Sequence, residues 1–165
     1  MKGNKNQQKI KLYKKDTYLK MIINSCGAKI WRNNYGMINN KKIDLVENGA
    51  LSCAFFVTSI LKIFDLISFL HLTVEGAEKD LIENNWKSIK ISRNMPRGTV
   101  IIWEKQENDS KDKKQLGGHL HIGFYLGNGK AVSNSTKNGY PIIHHWTYQN
   151  SRKIIKAYYN KKLDS

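Results

Sequence analysis

The pattern of apolar residues changes near Pro96, and this change restricts the fold more than any other feature of the sequence. Before it, apolar residues recur at helical spacing in three stretches: 10–23, 52–70 and 76–86. After it come five short runs rich in Val, Ile, Tyr and Phe: 99–104, 119–126, 130–135, 141–148 and 153–159. Helices followed by successive strands indicate an α+β domain, with the helices packed on an antiparallel sheet of about five strands.

The chain length fits one domain. With 165 residues, 40% of them hydrophobic, we expect a single folded domain, with residues 1–8 as a flexible basic tail. Residues 32–49 are rich in Asn and Gly and are predicted to form a long loop. Gly127-Asn128-Gly129 predicts a tight hairpin turn, because Gly and Asn tolerate positive φ.

The formal net charge is +15, which favours contact with polyanions. The lysines are scattered and no arginine-rich stripe is present, so nucleic acid is not the expected partner. If the charge has a function, we expect it to retain an anionic substrate such as a wall polymer. The alternative, a general Lys, Asn and Ile bias of the genome, stays open.

No segment of the sequence is typical of a membrane span or a secretory signal. The N-terminus is basic without an apolar core, and polar residues interrupt the apolar stretch 51–72. We therefore expect a soluble monomer made in the cytoplasm, which acts there or is released or injected to reach a cell wall.

Cys53 is predicted to open the most apolar helix, directly after Ser52. Backbone N–H groups and the helix dipole at such a position stabilise a thiolate and can also hold an oxyanion. A buried core thiol is the alternative. The other cysteine, Cys26, forms no CxxC pair with it.

His121, on a predicted strand, is the expected base for Cys53, because a cysteine nucleophile needs an imidazole within hydrogen-bond reach. His119 shares its face and is an alternative base. Gly123 lies on the same face and is expected to leave room for substrate or for the cysteine helix.

The segment from His121 to Lys130, which reads HIGFYLGNGK, resembles the histidine hairpin of NlpC-type peptidases. These are papain-like enzymes that act mostly on peptidoglycan stem peptides and are related to the CHAP amidases. PRGTVIIW, residues 96–103, resembles the strand before that hairpin, and Ser52-Cys53 stands where the family has Asp-Cys-Ser-Gly. The resemblance spans residues 45–136 and implies a papain-like fold.

The resemblance also implies a third polar residue that orients the histidine. The family places it twelve positions after the base, at Ser133. An amide oxygen accepts from an imidazole better than a hydroxyl does, so we expect Asn134 in this role, turned inward by a one-residue bulge. Ser133 stays the alternative. Positions expected to line substrate or the oxyanion are Tyr35, Ser52, His119 and Ser133.

The predicted activity is hydrolysis of an amide bond in peptidoglycan stem peptides or a similar peptide, through a thioester and without a cofactor. Two alternatives stay open: an acyltransferase with the same Cys–His pair, and a non-catalytic basic module on a degenerate papain-like fold. A zinc site formed by His119, His121, His144 and His145 is a competing interpretation of these histidines. No carboxylate or cysteine lies at ligand spacing among them, so we expect no metal.

Overall fold

The computed structural model describes residues 10–106 and 118–164, so the predicted tail 1–8 lies outside the described residues. In these ranges the α-helices are α1 (Lys14–Asn24), α2 (Cys53–Ile63) and α3 (Val74–Glu83). The strands are β1 (Tyr35–Ile38), β2 (Lys41–Asp44), β3 (Lys87–Ser88), β4 (Val100–Gln106), β5 (His119–Gly127), β6 (Lys130–Ser135), β7 (Tyr140–His145) and β8 (Ile154–Tyr159). Short 3₁₀ turns cover Glu47–Gly49 and Lys161–Leu163.

The main sheet has six strands in the order β3-β8-β4-β5-β6-β7, and every neighbouring pair is antiparallel. β1 and β2 form a separate hairpin. The predicted α+β class is confirmed. All five predicted runs are strands of the main sheet, and the two-residue strand β3 adds the sixth.

The two faces of the sheet carry two apolar clusters, because alternate side chains of a strand point to opposite faces. Ile122, Phe124 and Val132 pack with the helices, and Phe124 meets Phe56 of α2 edge to face at 5.6 Å between ring centroids. Trp103 and Tyr125 belong to the cluster on the other face. Helix α2 is thereby fixed on the sheet beside β5, with its first residue near the start of that strand.

Helix α2 ends at Ile63 and not near residue 70 as predicted. Asp65 has a φ of 52°, which no helix continues, and the N–H of Leu66 bonds back to the carbonyl of Leu61. The buried carboxylate of Asp80 then accepts from the N–H groups of Ser68 and Phe69. The apolar pattern persisted past the helix end because this turn also packs in the core.

The segment 32–49, predicted as a long loop, contains the β1–β2 hairpin. Asn39 and Asn40 form its turn, with φ values of 49° and 61°, which Asn tolerates. The carboxylate of Asp44 accepts from the N–H groups of Asn34 and Asn48 and holds the base of the hairpin. Within the described ranges, no helix has the length and apolar character that crossing a membrane requires.

Candidate active site

Cys53 is the first residue of α2 and is half-buried. Burial raises the pKa of its thiol, although hydrogen bonds from the backbone N–H groups of Ile122 and Ala54, and the charge of Arg152, act in the opposite direction. The start of the helix therefore favours the thiolate, as expected, but burial outweighs it and the net shift is upward. The bond from Ile122 also places the sulfur beside the backbone of β5.

A cavity of about 400 Å³ opens at this point. Cys53, His119, His121 and Arg152 all line it, so the predicted nucleophile and the predicted base face one space. The chain before α2 and the start of α3 contribute Leu45, Ala50, Leu51, Leu72, Thr73, Val74 and Glu75, and the sheet side adds Lys105, Gly118, Leu120 and Thr136. The cavity combines apolar walls with a small number of polar groups, as ligand sites commonly do.

His121 lies near the start of β5, directly opposite Trp103 of β4. The two rings are 5.4 Å apart between centroids, and only 7% of His121 is exposed. Burial, helped by the charges of Arg152 and His144, lowers the pKa of His121 well below its ordinary value. The imidazole is therefore neutral at pH 7, the state in which a histidine can accept a proton.

The hydroxyl of Ser133 joins three side chains. Its oxygen lies 2.8 Å from Nε2 of His121, 2.8 Å from Nε2 of His144 and 2.8 Å from the hydroxyl of Tyr148. A serine hydroxyl donates one hydrogen bond and accepts two, so these three contacts use its full capacity. The direction of each of these three hydrogen bonds consequently depends on the direction of the other two.

The direction of these bonds follows from one backbone carbonyl. Nδ1 of His144 lies 2.8 Å from the carbonyl oxygen of His145, which can only accept, so Nδ1 carries the proton. Burial lowers the pKa of His144, which keeps the ring neutral and leaves its Nε2 as an acceptor. Ser133 must then donate to His144 and accept from His121 and Tyr148.

This arrangement assigns the tautomer of His121. Because Nε2 of His121 donates to Ser133, Nδ1 is the unprotonated nitrogen of the neutral ring. Among residues 10–106 and 118–164, Nδ1 has no hydrogen-bond partner. The nitrogen able to take a proton from Cys53 is therefore unoccupied by any competing donor in the described chain.

Gly123 pairs with Ser133 across β5 and β6. A Cβ at Gly123 would lie 2.5 Å from the carbonyl oxygen of Val132, 2.7 Å from Cβ of Ser133 and 3.0 Å from the Trp103 ring. The glycine thus leaves room for Ser133 and Trp103. The expectation that it makes space for substrate or for α2 is wrong.

Asn134 does not contact His121, so the predicted inward bulge is wrong. Strand β6 pairs regularly with β7 through Ser133 and Asn134, and its irregularity with β5 lies at the hairpin turn. Regular alternation turns Asn134 to the other face, where its Nδ2 donates to the carbonyl of Gly49 at 2.6 Å. Ser133, the position that the family spacing indicates, pairs with Gly123 and places its hydroxyl beside Nε2 of His121.

Two of the other predicted positions do not reach the cavity. Ser52 is fully buried, and its hydroxyl donates to the carbonyl of Gly49 at 3.2 Å. Tyr35 lies on the β1–β2 hairpin with 61% of its surface exposed, and Lys42 sits 4.8 Å from its ring centroid. The prediction is therefore wrong for Ser52 and Tyr35, which lie outside the site, whereas His119 does line the cavity.

The four histidines weighed as zinc ligands do not converge. His121 and His144 both bond to Ser133, and Nδ1 of His145 accepts from the N–H groups of Thr147 and Gln149. In the described part of the chain, no group of three or more His, Cys, Asp or Glu side chains has the geometry to hold a metal ion.

Sequence reasoning missed two members of the cluster around the site. Arg152 and Tyr148 belong to the segment between β7 and β8, which shows no local motif. From the sequence, His144 is a candidate zinc ligand and not a partner of Ser133. The single available signal was chemical: Arg152 is one of four arginines in a lysine-rich chain.

A cysteine at the first position of a helix, packed on an antiparallel sheet beside a strand that carries a histidine, defines an NlpC-like, papain-like fold. The solved structure of NlpC2 from Trichomonas vaginalis matches 96% of the chain with a TM-score of 0.52 and 16% sequence identity. The chain spans about half the length of that protein (51%). At this identity the likeness shows the fold. No protein-family model matches the chain, and no curated protein matches it.

Proposed function

We propose that the chain is a cysteine hydrolase that cleaves an amide bond in a peptide through a thioester, with peptidoglycan stem peptides as the substrate class. One observation carries the proposal: Cys53 and His121 line the same cavity, and the bonds around Ser133 leave Nδ1 of His121 unprotonated. The substrate class rests on the NlpC-like fold and on the resemblance of the histidine hairpin.

Cys53 is the nucleophile and His121 the base. Nδ1 of His121 takes the thiol proton while the sulfur attacks the carbonyl carbon of the scissile amide. The backbone N–H groups of Cys53 and Ala54, at the start of α2, stabilise the oxyanion. The C–N bond then breaks, and the departing amine takes the proton from Nδ1.

Water completes the reaction. It attacks the thioester carbon and gives a proton to Nδ1. The C–S bond then breaks, the sulfur takes that proton from Nδ1 to become the thiol again, and the acyl group departs as a carboxylic acid. Because burial raises the pKa of Cys53 and lowers that of His121, both groups are neutral before the substrate binds. The proton therefore moves during the attack rather than before it.

Ser133 is the orienting residue in this mechanism. It accepts from Nε2 of His121 and so keeps the ring in the tautomer that the reaction needs. When the ring becomes a cation, the same hydroxyl still accepts from Nε2. The hydroxyl of Ser133 is itself oriented by its donation to Nε2 of His144, whose Nδ1 donates to the carbonyl of His145. This chain of hydrogen bonds connects His121 to the backbone of β7.

Digestion of purified muropeptides followed by mass spectrometry tests the proposal. The wild-type chain is expected to add one water across one amide bond, whereas Cys53→Ala and His121→Ala give no cleavage. Cys26→Ala is the matched control, since Cys26 does not line the cavity, and it should cleave like wild type. Cleavage by Cys53→Ala would contradict the mechanism. Binding of muropeptides without any cleavage would favour the non-catalytic module instead.

A further inference from the structure

Arg152 lines the cavity that holds Cys53 and His121. The half-buried side chain is held by two hydrogen bonds: Nε donates to the carbonyl of Glu104 at 3.0 Å, and Nη2 donates to the carbonyl of His119 at 2.7 Å. These carbonyls lie where the pairing of β4 with β5 is irregular. The guanidinium is therefore anchored and not a freely moving surface cation.

The anchoring bonds leave one end of the guanidinium available. Nε and Nη2 form one edge of the planar group, and both carbonyls lie along that edge. Of its five N–H donors, those at the opposite end, on Nη1 and Nη2, are not used within the described ranges. Two parallel N–H groups of this kind match the two oxygens of a carboxylate.

Arg152 also lacks a paired acid. Among the described residues no carboxylate forms an ion pair with it, and the nearby carboxylate of Glu104 instead accepts from the N–H of Lys153. The charge of Glu104 acts on Arg152 favourably but without direct contact, and removing a cation from water without a bonded counter-charge is costly. An anion arriving with the substrate would supply that counter-charge.

The other charges on the cavity do not cancel this field. Lys105 is a second cation in the lining and is exposed. Glu75, in the first turn of α3, is the one acidic side chain among the described lining residues, and it too is exposed to solvent. An exposed carboxylate is screened by water far more than a half-buried guanidinium is.

We propose that Arg152 binds a carboxylate that the substrate carries close to the amide attacked by Cys53. This inference deepens the proposed function and rests on it, because it takes the bound molecule to be the substrate of Cys53. Arg152 selects among amides: those with a carboxylate near the scissile bond are bound, and those with a neutral group there are not.

Two small alkylating reagents test the site without turnover. In both reagents the thiolate displaces iodide from a CH₂ carbon: iodoacetate leaves a carboxymethyl group on the sulfur, and iodoacetamide leaves the neutral carbamidomethyl group. The rate of each at Cys53 and at Cys26 is followed by mass spectrometry of the intact chain and its peptides, at pH 8. Taking the ratio of the two rates at one cysteine removes the effect of its thiolate fraction.

The expected result is an iodoacetate-to-iodoacetamide ratio at Cys53 about tenfold above that at Cys26, corresponding to about 1.4 kcal/mol. The iodoacetate rate at Cys53 should saturate, and succinate should inhibit it. Arg152→Gln should lower the ratio to that of Cys26. Lys105→Gln, which removes a cation from the same cavity, should leave most of the preference intact.

Equal ratios at the two cysteines in the wild-type chain would overturn the inference, as would an unchanged ratio in Arg152→Gln. A loss as large in Lys105→Gln would also overturn it, because the preference would then come from the general positive field. If Arg152→Gln fails to fold, Arg152→Lys is used instead, since it keeps the charge but loses the two parallel N–H groups. Succinate should inhibit the iodoacetate reaction of the wild-type chain and should not inhibit that of Arg152→Lys. These outcomes do not depend on amide cleavage, so failure of the proposed function is seen separately.

Discussion

The hydroxyl oxygen of Ser133 lies 2.8 Å from Nε2 of His121, across two neighbouring strands of the sheet. The hydroxyl proton is not available to His121, because His144 accepts it. Ser133 thus acts toward His121 as an acceptor only, which is the role that an amide or carboxylate oxygen plays elsewhere. A neutral serine can do this here because its second histidine partner fixes its direction.

Ser133→Ala should lower activity, whereas Asn134→Ala should lower stability. Ser133→Ala is expected to lower kcat about ten- to a thousandfold, because the tautomer of His121 is no longer held. Asn134→Ala should leave kcat nearly unchanged but lower the free energy of unfolding by about 1–2 kcal/mol, because the carbonyl of Gly49 loses the closer of its two buried donors. Muropeptide kinetics and urea unfolding measure the two effects. A larger kcat loss in Asn134→Ala would return the orienting role to that residue.

His144→Phe should change the tautomer of His121 without touching it directly. With Nε2 of His144 gone, Ser133 can donate to His121, so a population protonated at Nδ1 should appear. Ring nitrogen shifts from NMR of ¹⁵N-histidine-labelled protein report this population, and kcat should fall about tenfold or more. Tyr148→Phe is the comparison, since it removes a donor to Ser133 but leaves His144 in place. An unchanged His121 spectrum in His144→Phe would refute the coupling.

Stability should fall as the pH drops from 7 to 5. The pKa of His121 is lower in the folded chain than its ordinary value of about 6.5, so the unfolded chain binds more protons in this window and is favoured. His144 contributes in the same direction. The lowered pKa values of Asp44 and Asp80 matter only at more acidic pH, where their stabilisation is lost.

Urea unfolding at several pH values measures this dependence. The slope between pH 7 and 5 should be smaller in His121→Gln, which cannot be protonated there. A wild-type stability that is flat or rises on acidification through this window would show that His121 is not held neutral by the fold.

Gly123→Ala should impair both stability and catalysis. The added methyl would lie 2.5 Å from a backbone carbonyl and 2.7 Å from Cβ of Ser133, so β5 and β6 must separate. We expect a loss of about 1–3 kcal/mol in the free energy of unfolding and a reduced kcat, because Ser133 moves away from His121. Gly27→Ala is the matched control, since a Cβ at Gly27 meets no atom within 4 Å. Its positive φ brings backbone strain of its own, so Gly27→Ala should lower stability without lowering kcat.

The sequence by itself was sufficient for features that depend on neighbouring residues. The α+β order, the five long strands of the sheet and the cysteine at the start of α2 all follow from periodicity and turn residues. The twelve-residue spacing in the family that the hairpin resembles also indicates Ser133, whose hydroxyl lies beside Nε2 of His121. The tight turn at Asn128 does not by itself give this register, because the pairing of β5 with β6 shifts between Tyr125 and Gly127. Side-chain chemistry favours Asn134 over the family spacing, because an amide oxygen is the better acceptor, but the strand pairing turns Asn134 to the other face.

Only the tertiary structure decided which distant groups meet. His144 bonds to Ser133 because β7 lies beside β6, and Tyr148 and Arg152 reach the site from the following segment, which carries no periodic signal. The direction of the pKa shift of Cys53 was decided in the same way. A helix start favours the thiolate locally, but burial of the thiol between α2 and β5 outweighs it, and burial is a property of the packed chain.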